Sequence, residues 1–299
     1  MNNADSLAPI EFVGGRRQRI HAEGHVSAKA RRHKPGSHIH KGLTDSVLDK
    51  LYQQGSARIR FPNTEPETLH AILLNTAGGL TGDDQIHWKA DAGKHTHLCV
   101  STAACEKIYR THGPAAIQKS TLRVANNARL EWLPQESILF NGCHLDRSMN
   151  VYLEEHAEAL IVESLILGRQ AMKEDIDTLC VRDRWRIYRD NHLLHAEDFF
   201  LDMHQHNNAR TQCVLHQYSA ISTLVLIGNH SDEWYDALMS RVRALAPAGF
   251  SDIRIGASVL PSRLVVRVLA HDSFQLRKFL IPCINLLNDG RSVPTVWNV

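Results

Sequence analysis

The chain of 299 residues is 43% apolar and carries 34 lysines and arginines against 32 aspartates and glutamates, a formal net charge of +2. A chain of this length buries one large core or two ordinary ones. So small a charge predicts no general attraction to nucleic acid or to an anionic membrane surface. The longest apolar runs, such as residues 224–227, fall far short of the roughly 20 residues that cross a bilayer, so no transmembrane segment is expected.

The amino terminus and the cysteines both favour a cytoplasmic protein. The first residues show no charged start followed by an apolar stretch and a cleavage site, so we expect the protein to stay in the cytoplasm. The six cysteines form no CxxC pair, which in a large protein of a reducing compartment argues against a disulfide framework and against structural zinc. We expect most of these thiols to be buried as small apolar groups.

Residues 1–42 form a basic, histidine-rich segment. Seven lysines and arginines between residues 16 and 34 are interleaved with five histidines between residues 21 and 40, and acidic residues are scarce. One interpretation is a histidine-rich reservoir for nickel or zinc. The other, which we favour because such segments are usually solvated, is an exposed strand and loop.

Residues 43–227 have the pattern of a β-rich body. Polar and apolar residues alternate with period two in short stretches rich in β-branched and aromatic side chains, which predicts half-buried strands. Four of these stretches are residues 57–61, 85–88, 128–133 and 185–188. Turn residues separate them at short intervals. The sequence predicts a mainly β protein, and because no fixed repeat is visible, it favours an irregular, helix-like stack of short strands over a regular solenoid.

Residues 228–299 mix strands with a minor helical portion. Ser231 is a plausible N-cap for a helix with an apolar face that Pro247 would close. A second helix is predicted from Ser273, and Pro282 inside it should cause a kink or a break. Its apolar face is formed by Leu276, Phe279, Leu280, Cys283, Leu286 and Leu287. This face packs either on the protein's own strands, the favoured interpretation, or on a partner protein.

Three pairs of histidines are spaced two residues apart, as is needed for both rings to lie on one face of a strand. The pairs are His38 and His40, His95 and His97, and His204 and His206, and Cys99 continues the second of them. Two imidazoles at this spacing can converge on one metal ion. Each pair supplies only two ligands, however, and such pairs more often face solvent.

Enzyme motifs are missing. The sequence contains no GxSxG, no GxxxxGK[ST], no HExxH and no GxGxxG opening a helix, so hydrolase, phosphate-loop, zincin and dinucleotide interpretations all lack their usual anchor. We expect no enzyme activity, and an unrecognised β-fold hydrolase is the least favoured hypothesis.

Several carboxylates lie in strand and turn segments rather than on a solvated face. Asp84 follows a glycine-rich turn, Glu106 lies in ACEKIYR, and Glu136 lies in LPQE, while Glu163 and Arg169 flank residues 164–168. The structural interpretation is turn formation and ion pairs, with Arg110 or Arg169 as the partner of Glu106 or Glu163. The functional interpretation is a polar interior path, because nickel accepts carboxylate, imidazole and thiolate ligands and a route requires weak, replaceable ones.

These segments closely resemble the urease accessory protein UreD family. The matching stretches run in the family's order along nearly the whole chain, which is consistent with a single UreD-like domain over residues 1–299. They are LDKLYQQGSARIRFP at 48–62, LNTAGGLTGDD at 74–84, ACEKIYR at 104–110, RLEWLPQESILFNG at 129–142, ESLILGRQAMKE at 163–174, RDRWRIYRD at 182–190, LPSRLVVRVLA and VPTVWN. ACEKIYR and LEWLPQE are the most specific of them.

The resemblance implies a nickel-insertion chaperone. Such a protein binds the urease apoprotein and recruits UreF and the GTPase UreG, in an assembly that these two partners could make dimeric. It implies a nickel ion in transit and no tightly bound cofactor, with Asp84, Glu106 and Glu136 as candidates for the nickel path. The family commonly has Gly-Gly-Asp where this chain has Gly-Asp-Asp, and an aspartate at Asn141, so no ligand role is expected there. Histidine-rich nickel or zinc storage is the alternative function.

Overall fold

The computed structural model of the protein describes residues 19–31, 45–63, 67–168, 176–203, 215, 218–245 and 252–297. Within these residues the chain forms many β-strands and few helices. The strands are β1 (His21–Ala30), β2 (Ser46–Gln54), β3 (Ala57–Arg60), β4 (Thr68–Asn75), β5 (Gln85–Ala92), β6 (His97–Thr102), β7 (Glu106–Ile108), β8 (Ala116–Val124), β9 (Arg129–Leu133), β10 (Ser137–Leu139), β11 (His144–Leu153), β12 (Glu158–Leu167), β13 (Cys180–Arg189), β14 (His192–Asp202), β15 (Ala220–Ile227), β16 (Ile253–Leu260) and β17 (Arg263–Ala270). The helices are α1 (Asp232–Ala244), α2 (Ser273–Leu287) and a 3-10 helix at Thr295–Trp297.

The strands form two sheets that pack face to face. The first sheet has the order β14-β13-β11-β8-β5-β1-β2, and the second has the order β16-β17-β15-β12-β9-β6-β4-β3. In the second sheet β10 also pairs with β12, and β7 pairs with β10. The middle of each sheet is parallel, from β1 to β13 in the first and from β4 to β12 in the second. Antiparallel strands close both sheets at their ends.

The backbone winds from one sheet to the other and back, so successive rungs stack as in a β-solenoid. Gln85 of β5 lies beside Ile117 of β8, whereas Ala116 of β8 lies beside Leu145 of β11. These two rungs therefore differ in length, which explains why the sequence shows no fixed repeat. The predicted irregular, helix-like stack of short strands is confirmed.

The main core lies between the two sheets, and a second core lies between the second sheet and the helices. β9 and most of β12 are buried on both faces because the first sheet covers one side and the helical layer covers the other. In the sequence, strands of this kind appear as continuous apolar runs, such as Leu-Ile-Val in β12. Carboxylates in these strands are therefore removed from solvent, and their role depends on the groups that pair with them.

The helices largely follow the predictions. Ser231 caps α1 by accepting a hydrogen bond from the backbone N–H of Trp234 at 3.3 Å, as predicted, while Pro247 lies outside the described residues. Of the predicted kink or break at Pro282, the break is wrong, because α2 is continuous to Leu287. Buried residues on both sides of the proline, Phe279 and Cys283, hold the two halves of the helix against the second sheet.

The apolar face of α2 packs on this protein's own second sheet, which was the favoured of the two interpretations. Its buried residues are Leu276, Phe279, Leu280, Cys283, Ile284 and Leu287, and Leu286 is half-buried. This face is therefore occupied in the folded chain and is not free to bind a partner.

Part of the amino-terminal segment belongs to the solenoid. β1 lies between β5 and β2 in the first sheet, and His25 on this strand has its Nε2 atom 2.7 Å from an Asp91 carboxylate oxygen. His21 is exposed at the start of the strand. The pairs His38 and His40, and His204 and His206, lie outside the described residues.

The prediction that His95 and His97 share one face of a strand is wrong. His95 lies in the turn before β6, with φ of 59°, and it is exposed. His97 begins β6 and is buried, with Nε2 2.6 Å from Oε1 of Glu131. Cys99 does continue the His97 side of the strand, and burial raises the pKa of its thiol, which is also hydrogen-bonded to Glu131.

Candidate functional site

Glu106 is a partly buried carboxylate without a cationic partner. It begins β7, which pairs in parallel with β10 so that Glu106 lies beside Ser137. Its Oε1 accepts a hydrogen bond from Nδ2 of Asn75 at 3.1 Å, and no described lysine, arginine or histidine forms an ion pair with it. Burial raises the pKa of Glu106 to about 7, against the lowering effect of Asn75 and of the Lys107 backbone. The predicted ion pair between Glu106 and Arg110 is not formed, because the Nε atom of Arg110 donates to the Asn141 carbonyl.

Glu106 faces a cavity of about 220 Å³ between the two sheets. The polar residues in its wall are Asn75, Thr102, Cys105, Glu106, Lys107, Gln118, Gln135, Ser137 and Glu163. The Oε1 atom of Gln118 is buried and has no hydrogen-bond partner among the described residues. Buried polar oxygens are normally paired. A carboxylate without a described cationic partner and an amide oxygen without a described donor are oxygen ligands of the kind that a divalent ion in passage requires.

A second cavity has a volume of about 360 Å³, and Glu163 belongs to the walls of both. Charged residues are frequent in this second wall. They are Arg147, Glu163, Asp183, Glu197, Arg254 and Arg267. The second cavity lies towards the last strands of the solenoid, with β14 on one side and β15 to β17 on the other. The two cavities therefore share one wall residue, Glu163.

Glu163 belongs to a cluster of three buried charged side chains. Arg147 on β11 donates to Glu163 on β12 at 2.5 Å and to Asp183 on β13 at 2.6 Å. Trp132 donates from its indole N–H to the other oxygen of Glu163 at 2.8 Å. Burial raises the pKa of Glu163, and although Arg147 opposes this, the nearby Asp183 carboxylate adds to it. The predicted partners of Glu163 are thus corrected: it pairs with Arg147, and Arg169 lies outside the described residues.

Asp84 has a different environment. It is buried, and its two carboxylate oxygens accept the backbone N–H groups of Ile20 at 2.8 Å and Thr81 at 2.9 Å. These bonds close the glycine-rich turn and tie the entry of β1 to the start of β5. Asp83 next to it has φ of 68° and forms an ion pair with Arg19 at 3.0 Å.

Glu136 faces the helical layer rather than the cavities. Arg277 of α2 donates to both of its carboxylate oxygens at 2.7 Å, and the thiol of Cys105 lies 3.3 Å from one of them. Burial acts to raise the pKa of Glu136, but the hydrogen bonds and charge of Arg277 outweigh it and lower that pKa below its ordinary value. Burial and the Glu136 carboxylate raise the pKa of Cys105 to about 11, so the thiol stays protonated.

The three candidate residues therefore do not form one site. Glu106 lines the first cavity, whereas neither of the two cavity walls contains Asp84 or Glu136. In the part of the chain that the structure describes, no group of three or more histidine, cysteine, aspartate or glutamate side chains is placed to hold a metal ion. No helix among those residues is long and apolar enough to span a membrane. A role in nickel passage stays a prediction for all three carboxylates.

Comparison with known proteins identifies the family. A family model described as UreD urease accessory protein matches residues 36–298. A urease accessory protein UreD from Rhizobium johnstonii is 41% identical over 290 residues, covering 97% of this chain and 99% of that protein. One from Agrobacterium fabrum is 43% identical, covering 85% and 86%, and the UreD 1 protein of Brucella anthropi is 38% identical, covering 88% and 92%.

The chain belongs to the UreD urease accessory protein family.

Several of the stretches that carry the UreD resemblance supply residues to the walls of the two cavities. ACEKIYR supplies Cys105 and Glu106, RLEWLPQESILFNG supplies Trp132, and ESLILG supplies Glu163. RDRWRIYRD supplies Asp183 to the second cavity. Segments far apart in sequence are brought together because each occupies a neighbouring rung of the stack.

Sequence reasoning missed two groups in this UreD protein. Arg147 lies in HLDRSMNVYL, which alternates like any half-exposed strand, yet the arginine points inward. Gln118 lies on the inward side of β8 in the same way. A signal was available for Arg147: alternation places it in phase with the buried Leu145 and Met149, and an in-phase charge on a strand predicts an interior partner.

Proposed function

We propose that this protein matures urease by holding the apoprotein while nickel passes through the interior of the stack to it. Membership of the UreD family supports a role in urease maturation. The observation that carries the nickel route is Glu106, a carboxylate that forms no ion pair with the described residues and lines a cavity. The wall of this cavity shares Glu163 with a second cavity. Nickel is cargo in this proposal, and the protein keeps no cofactor.

The chemistry of the route favours passage over storage. The pKa of the Glu106 carboxyl group is about 7, so an incoming divalent ion displaces its proton to solvent at little cost. The group is protonated again when the ion leaves. Glu106, Gln118 and Ser137 offer oxygen atoms in the first cavity, and such weak oxygen ligands release a borderline ion readily. The ion is thereby drawn in without being held.

The partners in this proposal are the urease apoprotein, UreF and the GTPase UreG, in the cytoplasm. The exposed surface leaves room for several proteins, since no described residues cover the outer face of the first sheet or the outer surface of α1. A dimeric assembly through UreF and UreG is part of the same hypothesis. Co-purification of the full chain from cells that express the complete urease gene set tests these partners directly.

The central experiment measures nickel in urease. Deleting the protein should leave urease subunits present and assembled but deficient in nickel. Glu106→Gln should allow recovery of the same complex yet lower urease nickel content several-fold, because the amide cannot balance a divalent charge. Glu155→Gln is the matched control, since Glu155 lies exposed on a turn with 73% of its side chain accessible.

Asp84→Asn, measured beside Glu106→Gln, distinguishes a role of Asp84 in the nickel path from a purely structural role in its turn. If Asp84 only holds its turn, the variant loses stability and complex recovery together, because one of two backbone N–H groups then faces an amide NH₂. If it guides nickel, loading alone falls. Full nickel loading in the presence of Glu106→Gln would refute the route through the first cavity.

Two other functions make different predictions. Storage of nickel or zinc by the amino-terminal histidines requires tight binding of several metal equivalents by the isolated chain. A hydrolase requires substrate turnover by the isolated chain. Neither requires that the protein be recovered with urease, so the co-purification experiment distinguishes them from maturation.

A further inference from the structure

The junction of the two cavities is occupied by a side chain that is itself a cation. Arg147 enters from β11 and lies in the wall of the second cavity, next to Glu163, which is common to both cavities. The arginine is 2% exposed, so its charge depends on the protein for compensation. An ion that moved from the first cavity to the second would meet this guanidinium at Glu163.

Arg147 divides its hydrogen bonds between two carboxylates on different strands. One terminal nitrogen donates to Glu163 and, at 3.4 Å, to the Ser137 hydroxyl, whereas the other donates to Asp183. Its Nε atom is buried without a hydrogen-bond partner in the described part of the chain. The guanidinium is therefore held by its two ends and is not fully satisfied.

The second oxygens of both carboxylates are also engaged. Trp132 donates to Glu163 and Trp185 donates to Asp183, at 2.8 and 3.1 Å. These indoles fix the directions of the two carboxylates, so that the side of Glu163 that faces Arg147 is the side left for a competing cation. If the arginine gave up Glu163, its other end would still hold Asp183, and no buried guanidinium would be left without an anion.

We propose that Arg147 is the selectivity residue of this junction: it occupies Glu163 as a tethered cation, and only a divalent ion displaces it, towards Asp183. The proposal rests on the proposed nickel route. A monovalent ion brings no more charge to Glu163 than the guanidinium and lacks its directed hydrogen bonds. A divalent ion doubles the electrostatic attraction at the same distance and can therefore compete.

A purely structural ion pair is the rival explanation. Buried arginine–carboxylate clusters fix the packing of many proteins without any ion passing. Removal of the guanidinium leaves Glu163 and Asp183 free to bind a metal ion under either explanation, so Ni²⁺ binding shows only whether the arginine competes with the ion. The two explanations differ in Asp183→Asn: a structural pair predicts loss of stability and of complex recovery together, whereas a displaced arginine needs Asp183 and predicts lower urease nickel content at equal recovery of the complex.

The test is nickel binding by the full-length chain carrying a solubility tag, measured by calorimetric titration with Ni²⁺. Arg147→Met should bind Ni²⁺ at least about tenfold more tightly than the unchanged protein. The double variant Arg147→Met with Glu163→Gln should lose this gain. Circular dichroism establishes that each variant is folded. A folded Arg147→Met protein that binds Ni²⁺ no better than the unchanged chain overturns the proposal.

Two further variants keep the test decisive if Arg147→Met does not fold. Arg147→Lys keeps the charge but cannot bridge both carboxylates, so its Ni²⁺ affinity should also rise, by less. Asp183→Asn removes the second partner of the guanidinium and should lower the nickel content of urease at equal recovery of the complex. Unchanged Ni²⁺ affinity of Arg147→Lys would contradict the proposal, as would an unchanged nickel content of urease with Asp183→Asn. Failure of the nickel route itself appears separately, as full urease loading with Glu106→Gln.

Discussion

Glu106 illustrates how one residue can be electrostatically poised by its surroundings. The carboxyl group is removed from water, and the neighbours that bond to it, Asn75 and the Lys107 backbone, are neutral. Its pKa of about 7 lies above the ordinary value of 4.5, so the folded protein binds this proton more tightly than the unfolded chain does. By linkage, the group makes folding less favourable as pH rises through this interval.

This gives a prediction on pH dependence. Stability should fall between pH 4.5 and 7 by up to about 3 kcal/mol from Glu106, since each pKa unit corresponds to about 1.36 kcal/mol. Glu106→Gln should abolish this contribution and be as stable as the unchanged protein or more stable at pH 8. Chemical denaturation at pH 5 and pH 8 measures it. A loss of several kcal/mol at pH 8 in the variant would instead show that Glu106 has a cationic partner in solution.

Glu136 and Arg277 attach one element to another. The arginine of α2 reaches across to a carboxylate at the start of β10, and its guanidinium lies 5.9 Å from the centre of the Trp297 ring. The indole N–H of Trp297 donates to the Leu133 carbonyl at 3.0 Å. The helix and the 3-10 turn that follows it are thus fixed to the same edge of the stack that forms the first cavity.

Glu136→Gln should destabilise the protein by about 3 kcal/mol, because it leaves the Arg277 guanidinium without its anion in a largely buried place. The pKa of Glu136 is lowered, so the stabilisation is present at neutral pH and is lost as pH falls through the folded-state value. Thermal unfolding at pH 7 measures the loss, with Glu155→Gln as the exposed control. If the variant had an unchanged melting temperature but gave urease with little nickel, Glu136 would belong to the nickel path.

The apolar face of α2 offers a second test at the scale of elements. Leu287 is 2% exposed in the core under the helices, whereas Phe274 at the other end of the same helix is 69% exposed. Leu287→Ser should destabilise the fold by about 3 kcal/mol or more, from lost burial and an added polar group. Phe274→Ala should change stability by less than about 0.5 kcal/mol. Equal stability of both variants, measured by urea denaturation, would mean that this face binds a partner instead.

At the scale of the whole molecule, no described strand pairs with the outer edge of either end of the first sheet. β2 and β14 are its edge strands, and both carry exposed apolar side chains. These are Leu48, Leu51, Tyr52, Leu193 and Phe200. Unpaired edge groups next to apolar side chains favour association between chains. In the proposed assembly, partner proteins would cover part of this surface.

The isolated chain should therefore aggregate, and one substitution should reduce this. Phe200→Lys places a charge on the edge strand β14, where Phe200 is 60% exposed, so aggregation should fall while the melting temperature stays within a few degrees. Light scattering at increasing concentration provides the measurement. An unchanged chain that stays monomeric at high concentration would contradict the prediction, as would a variant that aggregates equally.

Local patterns in the sequence were sufficient for much of this protein. Alternation identified the strands at residues 57–61 and 185–188, capping by Ser231 identified α1, and the long motifs identified the UreD family. These features depend on near neighbours in the chain, whose geometry is fixed by backbone periodicity and hydrogen bonding within a few residues. The lengths of individual rungs were not predictable, because loops vary between them.

Only the tertiary structure decided what each carboxylate does. Glu106, Glu136 and Asp84 look alike in sequence, yet one faces a cavity, one bonds an arginine of a distant helix, and one closes a turn. Glu163 pairs with Arg147 because β11 and β12 bring them together from opposite sheets. Such partners are set by the register of rungs and by which sheet a strand joins. Alternation within a strand shows which side chains point inward, but it does not show which strand of the opposite sheet lies across from them.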